Sequence, residues 1–244
     1  PGTDVYLLAA MINVLFAEGL ATPGPLAAHT DGLEQLESLV GSFTPDRASA
    51  LTGVEAGAIS DLARQFAAAD AAVAYGRMGV STQEHGGLCQ WLIYALNLVT
   101  GNLDRPGGFM FPSPAVDLCD LLGPGSYGRF RSSVRGLPEF SGELPVAALA
   151  EEILHAGDER IRGLITVAGN PVLSTPNGRQ LDEALASLEF MAAIDIYVNE
   201  TTRHAHVILP PTSALEHDHY DLVFNALAVR NVARYSQPLF EPGL

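Results

Sequence analysis

Seven histidines occur in the chain, and four of them, His204, His206, His217 and His219, fall within NETTRHAHVILPPTSALEHDHYD, residues 199–221. Glu216, Asp218 and Asp221 stand among them. Imidazoles and carboxylates at such spacing could hold a divalent metal or move protons. On a strand, His217 and His219 would share one face while Glu216 points away, and Asp221 could complete a ligand set. A metal-dependent hydrolase built on His217, His219 and Asp221 is therefore one reading of this stretch. A non-catalytic α/β binding module is another.

The other polar clusters follow apolar runs. AAVAYG, residues 71–76, is a short continuous apolar run that predicts a buried parallel strand, and GRMGVSTQEHGG is the loop after it. IRGLITV leads into AGNPVLST, EFMAAI into Asp195, and HVIL into PPTSALEHDH. In open parallel sheets ligands sit at the carboxyl ends of strands, so these four loops are where chemistry is expected. GRMG lacks the spacing of a G-x-G-x-x-G dinucleotide fingerprint, and no P-loop lysine occurs.

Helical patterns separate these runs. Residues 4–20 read as a helix with Asp4 placed to cap it and Gly19 near its end. Thr44-Pro45 is a cap followed by proline at the first helical position. In the helix after TGVE, Ile59, Leu62 and Phe66 share a face. GLCQWLIYALNLVTG, VAALAEEILHAG and RQLDEALASL are further helices, and TTRHA is a short one. Residues 113–145 are low in periodicity and rich in Gly, Pro and Ser, which predicts a linker or surface excursion. Strands alternating with helices predict an α/β fold with a parallel sheet covered on both faces.

Thirteen basic residues against 28 acidic ones give a formal charge of −15, which argues against nucleic acid and anionic membranes. A small phosphate ligand remains compatible, because helix N-termini bind phosphate without basic side chains. No apolar run reaches the ~18 residues of a membrane span. Cys89 and Cys119 lack C-x-x-C spacing, so no zinc ribbon or iron–sulfur cluster is encoded here. Two lone thiols suggest a reducing, cytoplasmic setting. PGTD reads as a turn after a strand that would precede it, so the chain is expected to be part of a longer protein.

Taken together, AGNPVLSTPN, the strand ending at Asp195, and TTRHAHVILPPTSALEHD resemble the molybdopterin oxidoreductases, which include formate dehydrogenases and nitrate reductases. MGVSTQEHGG, LNLVTGNLDRPGG and the opening PGTD fit the same pattern. The resemblance covers nearly the whole chain and is weakest over residues 113–160. The family's usual Asp is replaced by His206, and its usual Lys by His217.

This resemblance implies Rossmann-like, helix-covered lobes of the formate dehydrogenase/DMSO reductase fold. Residues 1–112 would belong to one dinucleotide-binding lobe, 113–145 to the excursion and 146–244 to a second lobe. It implies a bis(molybdopterin guanine dinucleotide) molybdenum cofactor. Gly2, Thr3, Asp4, Asn170, Ser174, Ile194, Asp195 and His217 would contact the dinucleotide, and Met78 with Thr82 or Gln83 the pterin. A carboxylate such as Asp195 suits guanine, which offers two adjacent N–H donors. The preferred reading of the histidines becomes the rim of a nucleotide cleft. The molybdenum ligand and any iron–sulfur cluster would lie upstream, and an electron-transfer partner would serve the parent enzyme.

Overall fold

The segment DVYLLAAMINVLFA is apolar on every side, the mark of a helix enclosed by others. It forms α1 (Asp4–Ala17), which buries Val5, Ala9, Ala10, Met11, Ile12, Val14 and Leu15. Ile12 and Leu15 have no solvent exposure, and such burial stabilises the fold by roughly 1.5–3 kcal/mol per side chain. Around α1 pack α2 (Leu33–Val40), α3 (Pro45–Thr52), α4 (Ala56–Ala68) and α6 (Gly86–Val99), with the single turn α5 (Met78–Ser81) preceding α6. The computed structural model describes residues 1–243 and divides into two compact units, Pro1–Pro112 and Ser113–Leu244.

Local rules hold at α3. The Thr44 side chain accepts from the Arg47 N–H, Pro45 opens the helix, and Gly53 ends it in a left-handed conformation at φ +75°. At α1 the cap differs from expectation. Thr3 occupies the cap position without a side-chain bond, and Asp4 is the first helical residue, its carboxylate engaged elsewhere. On α4, Ile59 is buried but Leu62 is 47% exposed, and Ala63 takes the inward position instead.

AAVAYG does not join a sheet among the described residues. Its main chain is held by side-chain amides instead. Asn97 Oδ1 accepts from Ala74 N–H at 2.9 Å, and Asn97 Nδ2 donates to Ala74 O at 2.9 Å. Asn102 Oδ1 accepts from Ala72 N–H at 3.2 Å, and Gln90 donates to Gly76 O at 3.2 Å. Asn97 and Asn102 are buried, so these bonds also satisfy what would otherwise be costly orphan amides.

In the second unit, residues 113–145 carry a short helix, α7 (Leu118–Leu122), and an antiparallel hairpin, β1 (Tyr127–Arg131) with β2 (Pro138–Phe140). Glu139 lies fully buried beneath the hairpin. It accepts from the Ser126 hydroxyl, the Arg129 and Gly142 N–H groups and the Arg129 guanidinium. Glu152, on α8 (Leu149–Leu154), accepts from the Ser133 and Val134 N–H groups at 3.1 and 2.9 Å. Two carboxylates thus organise a stretch that has no apolar period of its own.

β3 (Gly163–Val167), β4 (Phe190–Ile194) and β5 (Val207–Leu209) form a parallel sheet in the order β3-β4-β5. Between them run α9 (Pro171–Ser174) and α10 (Gly178–Ala186). Met191 and Leu164 face a core made with Ile153, Leu181 and Leu185 of α8 and α10, and Ala193 is buried. The alternation of apolar runs and helices is as the sequence predicts. Coverage of both faces is not found within the described residues. Ile165, Val167, Phe190, Val207 and Leu209 share the opposite face in register and are exposed. Beyond the sheet lie β6 (His219–Tyr220), α11 (Leu222–Asn225) and β7 (Tyr235–Ser236), with β6 and β7 antiparallel.

Candidate cofactor-binding site

The expected site residues fall into two groups, one in each unit. In the first unit, Gly2 (φ +84°) turns the chain into α1, and Asp4 stands in its first turn. Gln83 follows α5 and donates through Nε2 to Asp4 Oδ2 at 2.9 Å and to Gly79 O at 2.6 Å. Its other amide atom, Oε1, is buried and has no partner among the described residues. Thr82 turns away, its hydroxyl bonded back to Met78 O at 2.7 Å, and Met78 is 68% exposed. The α5–α6 connection is tight because Gly86 is tight: a Cβ there would lie 2.0 Å from Ser81 O.

In the second unit, the loops after β3, β4 and β5 share one end of a parallel sheet, as topology requires. Thr201, completely buried, joins two of them. Its hydroxyl donates to Asn170 Oδ1 at 2.7 Å and accepts from Val172 N–H at 3.1 Å. Asn170 Nδ2 in turn donates to Glu200 Oε2 at 2.8 Å, and that bond holds the Glu200 carboxyl below its usual range. Ser174 is exposed and its hydroxyl returns to Asn170 O at 3.0 Å. The turn from α9 into α10 needs glycine, since a Cβ on Gly178 would lie 2.0 Å from Val172 O.

Asp195 caps its own loop. Oδ1 accepts from Ile196 N–H at 2.7 Å and Tyr197 N–H at 3.3 Å, and Oδ2 faces Asn199 Nδ2 at 3.4 Å. Asn199 Oδ1 accepts from the Thr201 and Thr202 N–H groups at 3.0 and 2.9 Å. A continuous hydrogen-bonded path therefore runs Asp195–Asn199–Thr201–Asn170. Asn199, Glu200 and Thr201 received no role from the sequence. Their signal was the run NETT itself, residues able to bond local main chain in the loop after β4.

His217 lies exposed after β5, its Nδ1 3.2 Å from the Thr212 hydroxyl. Glu216 fixes that loop by accepting from Ser213 and Gly243 N–H, which lowers its pKa, the Gly243 bond foremost. No hydrogen bond joins His217 to Asn170 or Asp195 among the described residues.

The geometry does not favour the hydrolase reading of the histidines. Among the described residues no group of three His, Cys, Asp or Glu is placed to hold a metal. Asp221 instead caps α11 by accepting from Phe224 N–H, and His219 lies in β6. His206 Nδ1 accepts from Met191 N–H at 3.1 Å, and its ring stacks on Phe190 at 5.6 Å, so it joins the starts of β4 and β5. His204 Nε2 lies 2.6 Å from Asp182 Oδ1, where Arg203 also binds. Arg203, then His204, hold the Asp182 carboxyl below its usual range.

No helix is long and apolar enough to cross a membrane among the described residues. The sequence profile described as molybdopterin oxidoreductase matches residues 1–232. The chain is 29% identical over 230 residues to the F420-dependent formate dehydrogenase subunit alpha of Methanocaldococcus jannaschii, a match spanning 89% of this chain and 34% of the relative. It is 26% identical over 235 residues to the assimilatory nitrate reductase catalytic subunit of Bacillus subtilis, covering 88% of this chain and 33% of the relative. The chain thus spans about a third of the length of these curated relatives. Acetylene hydratase from Pelobacter acetylenicus shares the fold, with a TM-score of 0.78, 17% identity, and coverage of 99% of this chain and 37% of that one. By its match over nearly all its length, the chain belongs to the molybdopterin oxidoreductase family, whose name implies a molybdenum–pterin cofactor.

Proposed function

We propose that the chain is the central cofactor-binding portion of a molybdopterin-dependent oxidoreductase akin to formate dehydrogenases and nitrate reductases. The cofactor would be molybdenum held by two molybdopterin guanine dinucleotides, which supplies two-electron redox or oxygen-atom transfer when bound. Residues 1–112 would form part of one dinucleotide lobe and residues 146–244 the other, joined by 113–145. An electron-transfer partner, and an iron–sulfur cluster upstream, would complete a cytoplasmic parent enzyme.

The residues present fit such a ligand. The observation that carries the reading is the buried, unpartnered Oε1 of Gln83, an acceptor awaiting an N–H donor of the kind a pterin presents. Because Gln83 and not Thr82 meets Asp4, Gln83 is the better pterin neighbour, with Met78 exposed beside it. Gly2, Thr3 and Asp4 would approach one dinucleotide at the α1 N-terminus, where main-chain N–H groups favour phosphate.

In the second unit, Asn170 and Ser174 would border the other dinucleotide, with Ile194 and Asp195 at the end of β4 and His217 beyond β5. Asp195 Oδ2, engaged among the described residues only by Asn199 at 3.4 Å, keeps lone pairs free for a guanine N–H. These loops would bind and orient; no residue of this chain is assigned a step at the metal.

The test is the native protein. Its intact mass, molybdenum and iron content, and the fluorescence of oxidised pterin released on denaturation should be measured together. A mass well above 25.8 kDa with near-stoichiometric molybdenum and pterin is the expected result. A native chain of this size free of molybdenum overturns the proposal.

A further inference from the structure

The chain that returns from β4 to β5, residues 196–206, is closed at its end by one imidazole. The His206 N–H donates to Met191 O at 2.7 Å, and His206 Nδ1 accepts from Met191 N–H at 3.1 Å. Both main-chain groups of Met191 are therefore engaged by a single residue, just before β5 begins to pair with β4. β5 has only 3 residues, Val207–Leu209, so this bracket fixes where its pairing starts.

The donor at Nδ1 is a main-chain N–H, which fixes the state of its acceptor. Nδ1 must present a lone pair, so the ring is neutral and its proton is on Nε2. The ring also stacks on Phe190, with centroids 5.6 Å apart and planes 25° from parallel. That stack holds the plane of the ring. A proton added at Nδ1 would point at the Met191 N–H, donor against donor, and the bond would be lost. An amide oxygen in the same place would be indifferent to pH, whereas imidazole ordinarily changes charge between about pH 5 and 8.

The charged groups on the surrounding elements are engaged elsewhere or exposed. Glu189, just ahead of Phe190, is bonded by Arg160 and Arg162 at 3.1 and 3.4 Å. Asp182 of α10 takes Arg203 and His204, and Glu183 beside it is exposed. On α8, Glu151 pairs with Arg135, and Glu152 accepts from the Ser133 and Val134 N–H groups. Among the described residues none of these groups bonds His206, so no carboxylate there offsets the loss by receiving an imidazolium.

We infer that His206 is a pH-sensitive latch in the second unit: the neutral ring locks the start of β5 to the start of β4, and the protonated ring releases it. Residues 196–206 also carry Asn199, Glu200 and Thr201, which hold the Asn170 loop, so release at His206 frees the far end of the segment that shapes this group. The geometry sets the sign. The bond to the neutral ring exists only in the folded chain, so its stabilisation is present above the imidazole range and is lost as pH falls through it. The inference does not depend on which cofactor the protein carries.

Hydrogen exchange of the Met191 amide in the full-length protein tests this at about pH 8 and about pH 5, either side of the imidazole range. Rates are corrected for the intrinsic effect of pH on exchange. In the wild type, protection is expected to fall roughly threefold to tenfold from the higher pH to the lower, the loss of one hydrogen bond. His206→Asn and His206→Asp each place an oxygen acceptor where Nδ1 stands, and neither titrates across that interval. Both are expected to protect the Met191 amide equally at the two pH values. Both retain His204 and Asp182, which separates the latch from that pair. Equal wild-type protection at the two pH values overturns the inference, as does a fall of the same size in the two variants. The wild-type ring supplies a measurement that needs no variant. Histidine labelled with nitrogen-15 should show His206 protonated at Nε2 alone at about pH 8. A proton on Nδ1 there overturns the inference.

Discussion

Gln83 donates to Asp4 across 79 residues of sequence, tying the turn after α5 to the first turn of α1. Two candidate residues taken from separate motifs are thereby one unit, and Asp4 is spoken for by protein rather than free to cap its helix. Replacing Gln83 with Glu sets a second carboxylate against Asp4, and one of the two must then take up a proton or move apart. In the full-length protein, Gln83→Glu and Gln83→Ala are each expected to lower molybdenum and pterin content by roughly tenfold or more. Metal analysis and released-pterin fluorescence measure this. Circular dichroism should show α1 intact, since its packing rests on apolar side chains. Full cofactor content in both variants would remove Gln83 from the site.

Thr201 is the keystone of the second group. Removing its hydroxyl leaves Asn170 Oδ1 and the Val172 N–H without partners inside a buried junction. Thr201→Val keeps the shape and is expected to cost about 1–3 kcal/mol in chemical denaturation of the second unit. Thr201→Ser should restore most of it, because the hydroxyl is the part in use. If Val is tolerated without loss, the path from Asp195 to Asn170 is an accident of packing.

The loops at the strand ends were legible because βα units announce themselves. An apolar run stops, Gly or Pro follows, and a helical period begins, as at AGNP before α9 and Asp195 after β4. The cap at Thr44-Pro45 was legible for the same local reason. The Asn97 and Asn102 bonds to residues 72–76 were not, because they depend on which helix lies against the run, and a periodicity carries no such information. Thr201 and Asn170 lie 31 residues apart, and only the sheet register brings their loops together. Leu62 was expected inward and Ala63 took the place, since the small residue lets α4 approach α1 closely.

The histidine-rich stretch gives a prediction by what it cannot do. His217 and His219 are exposed, one bonded to Thr212 and the other in β6, with Asp221 committed to α11. Zinc or manganese added to the purified protein and removed by dialysis should leave no stoichiometric ion held there. Mass-spectrometric metal analysis should give the same values for wild type and for a His217→Ala/His219→Ala variant. A loss of one bound ion on substitution would restore the metal reading.

Glu139 offers a pH test with a fixed sign. The Ser126 hydroxyl, with the Gly142 and Arg129 N–H groups and the Arg129 guanidinium, draws its pKa from 4.5 down to about 2. Its stabilisation is therefore present in full above pH 4.5 and is lost as pH falls toward about 2, because the unfolded chain takes up the proton first. Glu139→Gln keeps the shape but not the charge, and its amide nitrogen turns a donor toward donors. At pH 7 the variant should denature at a clearly lower urea concentration than wild type. On acidification the gap between the two should narrow through the interval from 4.5 to about 2, since only wild type has a charge to lose. Urea midpoints across that interval, followed through the hairpin, measure it. A gap that stays constant from neutral pH to pH 2.5 would mean that the Glu139 charge does not hold the hairpin together.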